Sequence, residues 1–240
     1  MSYLLVFLAI SLLITLHEAG HFLAAKWVGI PIARFSVGFG RRLWGFRCGQ
    51  TEYRLSLIPC GGYVLPALEH QGFGSLPLRK RIVFALGGPL SNIAGSVICL
   101  SIINISQHGL SVDGALVQPL KDTWQITFQM VTEIPQLFSN PGQLSGIVGI
   151  VAIGGEHVGT SIVRLLHLCV LLNINLAILN LLPLPPLDGG KIVMGVLEKV
   201  CPPLGRLEVP LAVTGWILLM GLMVYATVLD IFRIAESLVT

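Results

Sequence analysis

The chain has 240 residues, of which 54% are hydrophobic and only 11% charged, and its mean hydropathy is +0.82. A water-soluble domain carries about 45–50% apolar and about 25% charged residues, so this composition excludes one and indicates an α-helical polytopic membrane protein. The net charge of +3 is explained below by topology, and nucleic-acid binding is an unneeded reading of it.

In chain order, four apolar stretches approach the ~20 residues that a helical span needs: 3–25, 82–106, 165–182 and 211–232. The first lacks the basic start and small-residue exit of a signal peptide, so it is expected to be a retained helix. It carries no charged side chain from Met1 to Leu16 and then runs into His17-Glu18-Ala19-Gly20-His21. Ionisable groups inside a span cost at least ~2.5 kcal/mol each on insertion scales and are functional by default.

Between the first two spans, residues 33–65 hold short β-branched and aromatic runs punctuated by Gly and Pro. Strands and hairpins are expected there, forming a small membrane-associated sheet whose edge could pair with an extended peptide. The second span opens on Gly87-Gly88-Pro89-Leu90-Ser91-Asn92, where small residues let helices approach closely. Residues 107–163 contain no long apolar run. Trp124, Phe128, Val131 and Phe138 form a helical stripe that Pro135 is expected to interrupt, and 146–153 is too short to span.

The third span carries Asn173, Asn175 and Asn180 and breaks at Leu182-Pro183-Leu184-Pro185-Pro186-Leu187-Asp188. Proline cannot continue the helical ladder, so Asp188 is expected on an irregular turn at membrane depth. Nine Lys and Arg residues lie from Lys26 to Arg81, and Lys191, Lys199 and Arg206 lie between spans three and four. Both basic loops are therefore expected in the cytoplasm and both termini outside. Five cysteines without a CxxC pair indicate neither a disulfide framework nor a cysteine metal site.

Residues four apart share a helix face, so His17 and His21 can address one ion, with Glu18 placed as a general base. A catalytic zinc usually takes three protein ligands, and the third must come from elsewhere. Asp230 lies near the outer end of span four, and Glu208 follows a charged stretch read as solvated loop. Asp188, at the same depth as the histidines, is the best candidate. Glu69, His70, His108, His157 and His167 are read as ordinary polar residues.

Together, HEAGHFLAAKWVGI at 17–30, SLIPCGGYV at 56–64, GGPLSNI at 87–93 and NLAILNLLPLPPLDGG at 175–190 resemble the site-2 protease family of intramembrane zinc metalloproteases, in its four-span bacterial branch. The resemblance implies Zn2+ on His17, His21 and Asp188, with Glu18 as catalytic base. It further implies that Asn175 and Asn180 line the substrate groove and that Asn92 lies near the site. The expected substrate is a single-pass membrane protein cut within the bilayer of the bacterial inner membrane, and the whole chain, 1–240, is one peptidase domain. Members of this branch commonly carry PDZ domains between spans two and three, for which 107–163 is too short. An alternative is a catalytically silent, chaperone-like membrane protein on the same scaffold, which would be expected to lack Glu18 or a ligand; all four residues are here. A transporter would show internal repeats and a charged path to the far side, and neither is present. The oligomeric state is left open.

Overall fold

The computed structural model describes residues 1–68, 73–139 and 146–237. Its elements in chain order are α1 (Ser2–Trp27), β1 (Ile32–Cys48), β2 (Thr51–Pro66), α2 (Leu78–His108), α3 (Gln118–Ser139), α4 (Ile147–Val158), α5 (Ile162–Leu181), α6 (Asp188–Val200) and α7 (Glu208–Ser237). Four helices, α1, α2, α5 and the one ending the chain, are long and apolar enough to cross a membrane. Glu69 and His70 lie outside the described residues.

From Tyr3 to Leu16 α1 is apolar on every side apart from Ser11 and Thr15, whose hydroxyls donate to Phe7 O and Ser11 O of the same helix, as suits a helix facing lipid and protein alike. It ends where Gly29 takes φ +68°, with the Ile30 N–H donating to Ala25 O at 2.8 Å and the Gly29 N–H to Lys26 O at 3.3 Å. This left-handed turn satisfies the last carbonyls and aims the chain into the sheet. There β1 pairs with β2, and each residue from Arg34 to Val37 has two partners, one in Glu52–Leu55 and one in Gly62–Leu65. That segment is the middle of the sheet, and Gly62–Leu65 is left on an edge.

Lipid is as apolar as leucine, so helices in a membrane associate through close packing rather than burial from water. The glycines supply that closeness between α1 and α2. A Cβ at Gly20 would stand 2.1 Å from the Gly87 carbonyl oxygen, and one at Gly87 would stand 2.5 Å from that of Gly20. Behind this crossing, Leu100 of α2 packs with Val170 and Ile174 of α5.

Several expectations change. The helix α3 continues through Pro135, and Trp124, Phe128 and Val131 of the stripe point outward. Pro135 is exposed and is the fifth residue from the end of α3 as the helix runs to Ser139. Asp188 is the first residue of an amphipathic helix, α6, rather than part of an irregular turn. The irregular backbone ends at Leu187, because Gly189 and Gly190 fit where no Cβ could: one would lie 2.2 Å from Leu181 O and 2.0 Å from Leu184 O respectively. Glu208, read as solvated loop, begins α7 and pairs with a buried arginine.

Candidate metal centre and active site

His17 and His21 lie one turn apart on α1, with Nε2 atoms 3.1 Å from each other. From α6, Asp188 Oδ2 comes within 3.2 Å of His17 Nε2 and 3.0 Å of His21 Nε2. The three residues are 6%, 4% and 3% exposed. Among the described residues they are the one grouping of His, Cys, Asp and Glu whose donor atoms could share an ion.

The donors fit zinc. Two atoms bound tetrahedrally at about 2.0–2.1 Å stand about 3.3–3.4 Å apart, close to the separations seen here. Two imidazole nitrogens and a carboxylate oxygen directed at one point need a cation or protons between them. A zinc site of this class also needs each histidine's other nitrogen held. His21 Nδ1 donates to the Phe84 carbonyl at 2.7 Å, which leaves Nε2 as the lone-pair nitrogen. His17 Nδ1 lies 3.2 Å from the carboxamide of Asn92, a wholly buried residue. Both rings lie against Gly88 of α2, where a Cβ would stand 2.5 Å from His17 Cε1 and 2.5 Å from His21 Nε2. The glycines read from the sequence as packing residues thus also make room for the imidazoles.

The second oxygen of Asp188 is occupied as well, since Oδ1 accepts a hydrogen bond from Lys191 Nζ at 2.9 Å. Lys191 escaped the sequence reading. Its signal was the i, i+3 spacing from Asp188, which has meaning only once 188–200 is seen as a helix.

Glu18 is half-buried on the α1 face turned toward the sheet. A Cβ at Gly62 would be 3.5 Å from Glu18 Cγ, so the β2 edge runs beside this carboxylate. A cavity of about 270 Å³ is lined by Val64 and Pro66 of β2, Phe84, Pro185, Lys191 and Trp216, among others. Further out on the sheet, Glu52 takes Arg54 Nε at 2.8 Å and Arg34 Nε at 3.0 Å. These two guanidinium bonds hold its carboxyl down to about 2.

The asparagines of α5 part company. Asn175 and Asn180 are half-buried, and Asn180 Nδ2 donates to Leu176 O of its own helix at 2.9 Å. Among the described residues no hydrogen bond joins either to the His17, His21 and Asp188 group. Asn173 is fully buried instead, against Gly95 of α2. Towards the C-terminal end of α7, Asp230 Oδ2 accepts the N–H groups of Gly146 and Gly149 at 2.8 and 2.7 Å, capping α4. His108, His157 and His167 are all exposed and outside the cluster.

The sequence profile of Peptidase family M50 matches residues 5–222. A Campylobacter jejuni protein provisionally named a zinc metalloprotease is 27% identical over 349 aligned positions, which cover 97% of this chain and 94% of that one. The alignment is longer than the 240 residues here, so the relative carries a long segment within the match that has no counterpart. Regulator of sigma-E protease RseP of Escherichia coli is 40% identical over 96 residues, 35% of this chain and 21% of that protein. Protease RseP of Yersinia pestis is 37% identical over 108 residues, 40% of this chain and 24% of that protein. With this match over most of the chain and a buried His, His, Asp corner in its apolar bundle, the protein belongs to peptidase family M50, the site-2 proteases, as a zinc metalloprotease of the membrane.

Proposed function

We propose that this protein hydrolyses a peptide bond in or near the transmembrane segment of a single-pass membrane protein, with His17, His21 and Asp188 holding zinc and Glu18 as the base. The observation that carries the reading is the convergence of His17 Nε2, His21 Nε2 and Asp188 Oδ2 within 3.0–3.2 Å in a buried corner. When bound there, zinc supplies Lewis acidity to the scissile carbonyl and makes a water acidic enough to attack near neutral pH.

The chain's own residues divide the remaining tasks. Glu18 takes the proton from the attacking water and returns it to the leaving amine. Phe84 O fixes the tautomer of His21, and the Asn92 carboxamide, with Nδ2 3.2 Å from His17 Nδ1, holds the orientation of that ring. Lys191 occupies Asp188 Oδ1 and leaves Oδ2 as the ligand atom.

A peptide bond in a membrane helix is already hydrogen-bonded, so the substrate must be drawn out before attack. The free edge at Gly62–Leu65, beside Glu18, supports capture of an extended segment by main-chain pairing. Asn175 and Asn180 are assigned to the groove that competes for the freed backbone groups, with Asn92 behind the site. Arginine and lysine are concentrated at 26–81 and 191–206, which supports a site on the cytoplasmic side with both termini outside. The membrane is then the bacterial inner membrane, and residues 1–240 act as one peptidase domain. Because related proteins include a regulator of sigma-E, a membrane-anchored signalling precursor is the first substrate to try.

The test is cleavage of a purified single-pass reporter by wild type and by Glu18→Gln. Loss of a general base lowers turnover by about 10²–10⁴-fold, and Glu18→Gln should do so while retaining zinc. Product formed equally by both proteins would refute the role of Glu18.

A further inference from the structure

The candidate metal corner draws its three ligand residues from two helices, and α2 holds both imidazoles. Phe84 and Asn92 hold the rings of His21 and His17, and Gly88 lies under both. One turn below Phe84 and on the same stripe of α2 stands Arg81, 3% exposed although it closes the basic run Arg79-Lys80-Arg81. Its Nη1 donates to Glu198 Oε2. Its Nη2 donates to both carboxylate oxygens of Glu208 at 3.2 Å. The guanidinium also lies 5.7 Å from the Phe73 ring centroid. Glu198 is in the last turns of α6, ten residues beyond Asp188 or about 15 Å along the axis. Glu208 is the first residue of α7.

We propose that Arg81 is the positioning residue for Asp188: by gripping Glu198 it fastens the far end of α6 to α2, so that one helix face registers all three metal-binding side chains. The proposal rests on the zinc assignment made above. Two contacts fix the azimuth of α6. At its start the chain is wedged at Gly189 and Gly190 against the carbonyls of Leu181, Leu182 and Leu184, a contact that only the glycine face of the helix can make. At its end Arg81 supplies the second point, and a rigid rod held at two points cannot turn Asp188 away from the histidines. Gly195 brings α6 close to the same face of α2, where a Cβ would lie 2.8 Å from Leu78 Cδ1. Arginine suits the position because its planar fork serves two carboxylates at once and keeps its charge when buried. The pairing with Glu208 serves a different end, the seating of α7.

The experiment uses the full-length protein in detergent, stripped of metal by chelator and refilled with Co2+, whose visible absorption reports coordination geometry. Zinc affinity is measured by competition with a chromophoric chelator. Arg81→Met and Glu198→Ala should each alter the cobalt spectrum and weaken zinc binding about tenfold, the lower end for residues that orient a ligand. Glu208→Ala should leave both readouts as in wild type, and Arg81→Lys should fall between. Unchanged spectra and affinity in Arg81→Met and Glu198→Ala would overturn the proposal, as would Glu208→Ala matching Glu198→Ala. Should Arg81→Met fail to fold, the two glutamate variants decide alone. If wild type itself takes up neither ion, the zinc assignment fails first and the positioning role falls with it.

Discussion

Asp188 and Asp230 are both buried carboxylates in apolar surroundings, 3% and 2% exposed, yet their neighbours give them different roles. A charge out of water needs compensation, and the chemistry of what compensates it shows what the site can do. Asp230 meets donors only, the N–H groups of Gly146 and Gly149 at the positive end of α4, with Arg233 Nη1 at 3.6 Å. It is a helix cap joining α7 to α4. Asp188 meets two imidazole nitrogens and a lysine. Nitrogen lone pairs and a carboxylate oxygen directed at one point suit an ion, so equal burial accompanies a cap in one place and a candidate metal corner in the other.

The comparison can be broken most decisively at Asp188. Replacement by alanine should take peptide cleavage to background and reduce bound zinc, measured by elemental analysis of the purified protein. Full zinc content in Asp188→Ala would remove this residue from the ligand set. Next in size is Lys191→Met, which frees Asp188 Oδ1. It should weaken zinc binding by about tenfold, and affinity equal to wild type would mean that the lysine does not orient the carboxylate. At the other end, Asp230→Ala leaves two N–H groups uncapped and should lower stability by about 2 kcal/mol. Thermal unfolding in detergent would show this, with cleavage at low temperature as in wild type; lost activity without lost stability would make Asp230 more than a cap. The smallest effect belongs to Glu52 on the sheet. Its folded carboxyl sits near 2, against an ordinary 4.5, so its contribution is whole above pH 4.5 and fades as pH falls toward 2. The protection of the β1–β2 amides against hydrogen exchange, taken relative to the unstructured rate at each pH, should fall across that window, and Glu52→Gln should remove that fall.

Much of the fold was legible because it is written in local patterns. Uninterrupted apolar runs marked the four long helices, Gly and aromatic punctuation marked the sheet, and HExxH spacing placed two imidazoles on one face. The depth argument that matched Asp188 to the histidines also agrees with where the structure brings them together. What escaped were residues whose meaning depends on a distant partner. Arg81 reads as one more interfacial charge until Glu198 and Glu208, more than a hundred positions away, close over it. Asp230 was set aside as lying near the outer end of its helix, and its cap on α4 is invisible until α4 exists. Lys191 is hidden because in the sequence it is one basic residue between two spans, and only the helix 188–200 returns its side chain to Asp188.

The sequence by itself determined that this chain lives in a membrane, how many long helices it has, and which side chains could hold an ion. Those properties follow from composition and from periods of three to four residues, which are intrinsic to the backbone. Only the tertiary structure decided which carboxylate faces the imidazoles, which nitrogen of His21 is free, and that one face of α2 holds both rings. Such choices depend on helices meeting at glycine-thin crossings, and the energy of a buried charge is set by partners that no local pattern records.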